Sequence, residues 1–336
     1  MSKLLNCLIK KDISCVPVWF MRQAGRYLPE FKKIRASNQN FIELCLNSEL
    51  SAEITLQPIK RFDIDSAIIF SDILMVPYAL GQNVEFIKDY GPKLSDFNIN
   101  NFLDNDKISF TQKLHPVYKA IEITRNKLDK EKSLISFIGA PWTLLIYMLN
   151  LKKSKKEINL EKLKSKDFEV NLILDKLNEY LCIHIENQIN AGADIVQIFD
   201  SWAGLLPDDD LPNYCYIPNL KLVEFCNKKK IPVICFPKGI KKNYKEFNNL
   251  VKPNGLNLDF EIDPSWALKN LKNVVLQGGL DPKILFLPDQ EIQKNTIKYL
   301  NIFNKVPYIF NLGHGILPET EVDKVDRLIK FYRNFN

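Results

Sequence analysis

Seven short apolar runs punctuate the chain: 66–71 (SAIIFS), 134–138 (LISFI), 194–199 (DIVQIF), 231–236 (IPVICF), 255–258 (GLNL), 273–277 (NVVLQ) and 307–312 (PYIFNL). They are rich in Ile, Val and Phe and lack regular alternation with polar residues, the pattern of strands buried on both faces. Longer segments with helical spacing lie between them, over 168–192, 220–229 and 289–305. A last helix is predicted after Pro318. Glu319 and Glu321 suit its N-terminus, and Val322, Val325, Ile329 and Tyr332 recur on one face. This repeated strand–helix unit predicts an α/β protein, a single-domain (β/α)8 TIM barrel. A weaker candidate for the eighth strand lies at 84–88. A doubly wound open sheet is the alternative, but no Gly-x-Gly-x-x-Gly follows any strand. No linker divides the chain. Residues 1–62 are expected to form an N-terminal extension packed on a barrel that spans 63–336. The Lys-rich stretch 152–166 reads as a solvated loop or helix face, with a gate over the site as the alternative.

Composition narrows the class. Of 336 residues, 46% are hydrophobic and 26% charged, which excludes collagen-like, low-complexity and disordered chains. Apolar stretches such as 143–149 fall well short of the ~18 residues that a membrane span needs. Lys3, Lys10 and Lys11 interrupt any signal-like apolar region, so a cytoplasmic protein without membrane contact is expected. Net charge is +6, but 46 basic against 40 acidic residues set up no field that points to nucleic acid. Most of the bases are Lys. Arg is scarce, yet Arg22 and Arg26 stand four positions apart. The seven cysteines include no Cys-x-x-Cys pair and read as free, mostly buried thiols. His115, His184 and His314 show no metal-binding spacing, so no metal site is expected.

A barrel carries its chemistry at the C-terminal ends of its strands. The first run leads to Asp72, and the second through Gly139-Ala140-Pro141-Trp142-Thr143 to Tyr147, one short helix away. The third leads to Asp200-Ser201-Trp202 and the fourth to Pro237-Lys238-Gly239. The next two lead to Asp259 and to Gly278-Gly279-Leu280-Asp281, and the last to Gly313-His314-Gly315. Any one Asp here could simply be a helix cap, and Gly-His-Gly a tight turn. Together they place a polar cluster at one rim. The run Pro17-Val18-Trp19-Phe20-Met21-Arg22-Gln23-Ala24-Gly25-Arg26 stands apart from the barrel pattern. Its two guanidiniums and its backbone N–H groups could bind an anion, or the Arg pair could tie the extension to the barrel.

That run is similar, at every defining position, to the N-terminal signature of the uroporphyrinogen decarboxylase family. Phe70-Ser71-Asp72-Ile73-Leu74, Gly139-Ala140-Pro141-Trp142-Thr143-Leu144, Phe199-Asp200-Ser201-Trp202-Ala203-Gly204 and Phe310-Asn311-Leu312-Gly313-His314-Gly315-Ile316 resemble further family motifs, in order, over nearly the whole chain. The departures are Ser136, Asn150-Leu151, Phe260 and Gly279, none at a carried-over residue.

The resemblance implies a barrel that acts as a homodimer without cofactor or metal and takes uroporphyrinogen III as substrate. It implies that Arg22, Gln23, Ala24, Gly25 and Arg26 bind substrate carboxylates, the middle three through backbone. Asp72 would face the pyrrole N–H groups, and Tyr147, Ser201 and His314 would complete the pocket. The catalytic set it implies is Asp72, Arg22, Tyr147 and His314, with Arg22 delivering or orienting the proton. The implied reaction turns four acetate side chains into methyls, the protonated pyrrole acting as its own electron sink. Three other readings stand beside it. One is a cobalamin-linked methyltransferase of related fold, one a Schiff-base aldolase built on Lys238, and one a tetrapyrrole binder without catalysis.

Overall fold

The computed structural model describes residues 1–87, 91–154, 157–164 and 167–335. Seven parallel strands form one curled sheet in chain order: β1 (Ser66–Ile68), β2 (Ser133–Gly139), β3 (Ile195–Asp200), β4 (Val233–Pro237), β5 (Gly255–Leu258), β6 (Val275–Gly278) and β7 (Tyr308–Ile309). Each falls within or overlaps one of the seven apolar runs. Helices on the outside, among them Lys107–Lys127, Asp167–Asn190, Ile217–Lys228 and Asp289–Phe303, cover the strands' outer faces, which is why those strands are apolar on both sides. The last helix is Val322–Phe335, so Glu319 lies ahead of it in a turn closed by Thr320 N–H on the Leu317 carbonyl, and Glu321 directly precedes it, its carbonyl accepting from the Lys324 N–H.

The weaker strand candidate lies outside the barrel. Val84–Ile87 pairs antiparallel with Gly91–Leu94 in a surface hairpin, and Lys88 lies outside the described residues. The eighth place in the ring belongs to the N-terminal segment. Val18 bridges Phe310 in parallel register beyond β7. On its other side it faces Asp65, just before β1: the Asp65 N–H donates to the Val18 carbonyl at 2.9 Å, and the Val18 N–H donates to Asp65 Oδ2 at 2.7 Å. Residues 1–62 therefore do more than pack on the barrel, because 17–19 join its first and last strands. The helix Lys3–Lys10 plugs the bottom of the ring: Leu4, Cys7 and Leu8 pack with Ile135, Ile195, Ile234, Val275 and Ile309 in the lumen.

Of the Lys-rich stretch, Lys152–Ser154 and Glu157–Ile158 form a small antiparallel hairpin. Leu160–Lys164 forms a short helix, and residues 155, 156, 165 and 166 lie outside the described residues. All seven cysteines are free, five of them buried. Among the described residues no helix is long and apolar enough to cross a membrane.

Asp65 holds this closure from two sides. Its Oδ1 meets Arg333 of the last helix at 2.9 Å and Lys3 at 3.5 Å, while Oδ2 accepts from Val18. Asp65→Ala would leave the buried Val18 N–H without its acceptor and the half-buried Arg333 guanidinium with Asp63 alone. We expect a loss of about 3 kcal/mol in unfolding free energy, read from the denaturant midpoint. A loss below about 0.5 kcal/mol would show that the closure stands without Asp65.

Candidate active site

Beyond Val18 the chain dives into the lumen. The Trp19 indole N–H donates to Gln277 Oε1 at 3.0 Å. Gln277 Nε2 in turn donates to Asn257 Oδ1 at 2.7 Å and Gln197 Oε1 at 3.1 Å. This buried amide network spans β3, β5 and β6 directly beneath the mouth. It escaped the reading of the sequence, although Gln197, Asn257 and Gln277 are each an isolated polar residue inside an apolar run. Met21 is then pinned to the last strand–helix loop: its N–H donates to Asn311 Oδ1 at 3.1 Å, and its carbonyl accepts from Ile316 at 2.9 Å.

The next residue, Arg22, adopts the left-handed conformation with φ of +61°. A side chain other than Gly pays conformational strain of about 1 kcal/mol or more there, so the surroundings must hold it. Gln23 supplies much of that hold. Its Oε1 accepts from the Phe20 N–H at 3.0 Å, its Nε2 donates to the Ser66 carbonyl at 2.9 Å, and its own N–H returns to the Phe20 carbonyl. Gln23 is buried and its polar groups are committed, so it shapes the loop from behind. The N–H groups of Ala24 and Gly25 make no hydrogen bond within the described residues and stay available to an anion. Gly315 lies flat against Arg22: a Cβ there would come within 2.4 Å of Arg22 Cδ.

Arg22 links the rest of the rim electrostatically. Its guanidinium keeps solvent access while protein crowds it on most sides. Burial and then Arg26 make its charge less favourable, against the opposing pull of Asp72 and Tyr147. Asp72 follows β1 and accepts from the Leu74 N–H at 2.8 Å. Burial raises its carboxyl to about 6, although that hydrogen bond and Arg22 both favour the charged form. Tyr147 projects from the helix Pro141–Met148, and burial raises its phenol. Its ring meets Trp202 edge-on at 5.8 Å. His314 follows β7, and its pKa falls to about 4 through burial and the nearby charges of Lys238 and Arg22. Ser201 follows β3, is exposed, and makes no side-chain hydrogen bond among the described residues. Arg22, Asp72, Tyr147, His314 and Arg26 thus come together; no interaction ties Ser201 to them directly.

Other rim residues hold the frame. Asp200 accepts from Thr143 Oγ1 at 2.7 Å and Asn219 Nδ2 at 3.1 Å. Asp259 accepts from Gly239 N–H, Tyr244 OH and Glu261 N–H. Asp281 accepts from Lys283 N–H at the start of a 3-10 turn. These acids are turn-makers. What they leave open is a mouth in which Arg22, Arg26 and Lys238 make no ion pair among the described residues.

A family profile described as uroporphyrinogen decarboxylase (URO-D) matches residues 1–335. The chain belongs to the uroporphyrinogen decarboxylase family. A protein named uroporphyrinogen decarboxylase from Orientia tsutsugamushi (strain Ikeda) is 42% identical over 343 residues, covering 100% of this chain and 99% of that one. One so named from Rickettsia africae is 39% identical, covering 99% and 97%. Among solved structures, a methyltransferase from Methanosarcina mazei superposes with a TM-score of 0.81 at 17% identity, covering 99% of this chain and 97% of that one. This last likeness concerns the barrel alone. Within the uroporphyrinogen decarboxylase family, the five motifs of this chain fall on the elements that surround the mouth, apart from the buried Gln23.

Asp72 gives the site a pH signature. Its folded-state pKa of about 6 lies above the ordinary 3.8, so the folded chain takes up its charge reluctantly. This cost is absent below about pH 3.8, grows as pH rises towards 6, and is complete above it. Asp72→Asn, which keeps the acceptor for Leu74, should therefore be more stable than the parent by about 2 kcal/mol at pH 7.5 and equal to it at pH 4. Thermal unfolding at both pH values checks this. A variant less stable at pH 7.5 would mean that Asp72 is stabilised by its neighbours as a carboxylate.

Proposed function

We propose that this chain decarboxylates the four acetate side chains of uroporphyrinogen III to methyls, giving coproporphyrinogen III and four CO2. Beyond membership of the family, one observation carries the reading. A half-buried, reluctantly charged carboxylate, Asp72, stands in the same mouth as two unpaired guanidiniums, Arg22 and Arg26. The substrate has the complementary form, with four pyrrole N–H groups at its centre and eight carboxylates at its edge.

The chemistry follows from that fit. Protonation of a ring carbon beside the acetate makes the pyrrole an iminium-like cation. The bond to the carboxylate carbon then breaks, CO2 leaves, and its electron pair neutralises the cation, forming an exocyclic methylene. A proton adds to that carbon to give the methyl while the ring proton departs, so each acetate consumes one proton overall. Asp72, accepting from the pyrrole N–H groups, stabilises the positive charge where it develops. Because the Leu74 N–H already orients it, little reorganisation is needed at the moment of reaction.

Arg22 is assigned the delivery or orientation of the proton. Burial and Arg26 both act to make its guanidinium a better acid than in water. His314, uncharged near neutrality, presents a ring N–H to a substrate carboxylate, with Tyr147 on the Asp72 side of the mouth. Ser201 and the Ala24–Gly25 backbone complete the pocket, and Gln23 acts through the loop it braces. The charges beside His314 are Lys238 and Arg22, surroundings that oppose a divalent cation and so do not favour the methyltransferase reading. The homodimer and the cytoplasmic location are part of the same proposal and rest on the family resemblance.

Anaerobic incubation of the purified protein with uroporphyrinogen III, followed by oxidation and chromatography, should show a ladder from eight carboxylates to four. Asp72→Asn should slow turnover roughly 10²–10³-fold while the protein stays folded. Arg22→Ala should also lose most activity. Unchanged substrate with the parent protein would overturn the reaction, and near-parental rates in either variant would overturn that residue's role. Sedimentation of the active enzyme as a monomer would overturn the dimer.

A further inference from the structure

Lys238 is a charge at the mouth that the decarboxylation leaves unused. It follows β4, where Ile234 and Phe236 point into the lumen. Alternation along the strand carries Lys238 to the same inward side, one step above Phe236, at the floor of the mouth. Its backbone is fixed on three sides. The N–H donates to the Asp200 and Phe236 carbonyls, and the carbonyl accepts from Gly204 at 2.9 Å. The adjoining Gly239 N–H donates to Asp259 Oδ2 at 2.8 Å. The two loops meet so closely that a Cβ on Gly204 would lie 2.5 Å from the Gly239 backbone, so neither loop can carry Lys238 away.

Its ammonium feels the charges of Asp259 and Glu261 but touches neither. Among the described residues the Lys238 side chain makes no hydrogen bond and no ion pair, although it is half-buried. The neighbouring Asp259 has both oxygens engaged by Gly239, Tyr244 and Glu261. In the order of the ring, β4 stands four places from the 17–26 segment in either direction, so Lys238 lies across the mouth from the base of Arg22 and Arg26.

We propose that Lys238 is a third cationic ligand for the substrate, binding a carboxylate on the side of the macrocycle away from the Arg22–Arg26 loop. The proposal rests on the tetrapyrrole reading of the same mouth. It explains why a cation is held here unpaired, beside another. Burial, against the opposing pull of Asp259, and then Arg22, against that of Glu261, leave the Lys238 charge less favourable than in water, and a bound carboxylate relieves that cost. Lys238 and Arg22 also hold His314 uncharged, so the two cations meet carboxylates from different sides with a neutral ring N–H donor near both.

The test compares the parent with Lys238→Met and Lys238→Arg in steady-state decarboxylation of uroporphyrinogen III. It adds fluorescence titration with the oxidised octacarboxylate porphyrin and a thermal unfolding curve. Lys238→Met should raise KM and weaken porphyrin binding roughly ten- to hundredfold, with kcat changed far less and the unfolding temperature preserved. Lys238→Arg should restore most of the affinity, and binding to the parent should weaken more steeply with salt than binding to the Met variant. Equal affinity of parent and Met variant would overturn the proposal. So would loss of kcat alone, or loss of affinity that tracks a falling unfolding temperature and is not rescued by Arg. If the parent binds the porphyrin but leaves uroporphyrinogen III unchanged, the decarboxylase reading falls by itself. The titration then still decides for or against Lys238.

Discussion

The fold and the site depend on one threading event: the segment from Pro17 to Arg26 lies between the first and last strands of the ring. Val18 is bonded to Asp65 on one side and paired with Phe310 on the other, so the same few residues close the sheet and aim Arg22 into its mouth. The Arg22 backbone is left-handed and would relax in a free loop. Here Met21 is bonded to Asn311 and Ile316 while Gln23 is bonded to Phe20 and Ser66, which removes the freedom to relax. Positional accuracy at the guanidinium is thus supplied by backbone bonds to both ends of the sheet.

A second theme is the cost of holding charges apart. Folding usually pairs or hydrates its ionised groups, yet this mouth keeps Arg22, Arg26 and Lys238 without ion pairs among the described residues and keeps Asp72 where its charge is unfavourable. The rim acids that could have neutralised them are turned to structural use, with Asp200 on Thr143 and Asn219, and Asp259 on the Gly239 loop. Stability is given up at this mouth, and the amide network of Trp19, Gln277, Asn257 and Gln197 beneath it is the rigid base that tolerates the cost.

Much of this was legible in the sequence, for physical reasons that also explain the gaps. Strands covered on both faces leave uninterrupted apolar runs, and all seven were visible as such. The closing segment was not, because it begins at a proline, makes one bridge rather than a ladder, and turns at Arg22. Val84–Ile87 carries the composition of a strand but has only Gly91–Leu94 to pair with, and a periodicity cannot report where its partner lies. The motif residues stood out through family resemblance, and the structure gathers Arg22, Asp72, Tyr147 and His314 at one mouth. Composition alone could not separate Asp72 from Asp200, Asp259 and Asp281. All stand at strand ends and accept from a neighbouring group, and what singles out Asp72 is the Arg22 charge beside it, which no local pattern of residues reports. Gln23 shows the converse, a signature residue whose side chain faces inward to brace the loop.

The closure has a consequence for how the molecule comes into being. Trp19 waits for Gln277, 258 residues further along, and Met21 for Asn311, 290 residues further along. On the ribosome, the helix that plugs the ring and the loop that carries the guanidiniums emerge first, yet they can settle only when nearly the whole chain has followed. Contacts of such separation form late and are entropically expensive to bring together. Closure of the ring and anchoring of the Arg22 loop are therefore coupled late events, and a chain stalled before its last strand would lack both.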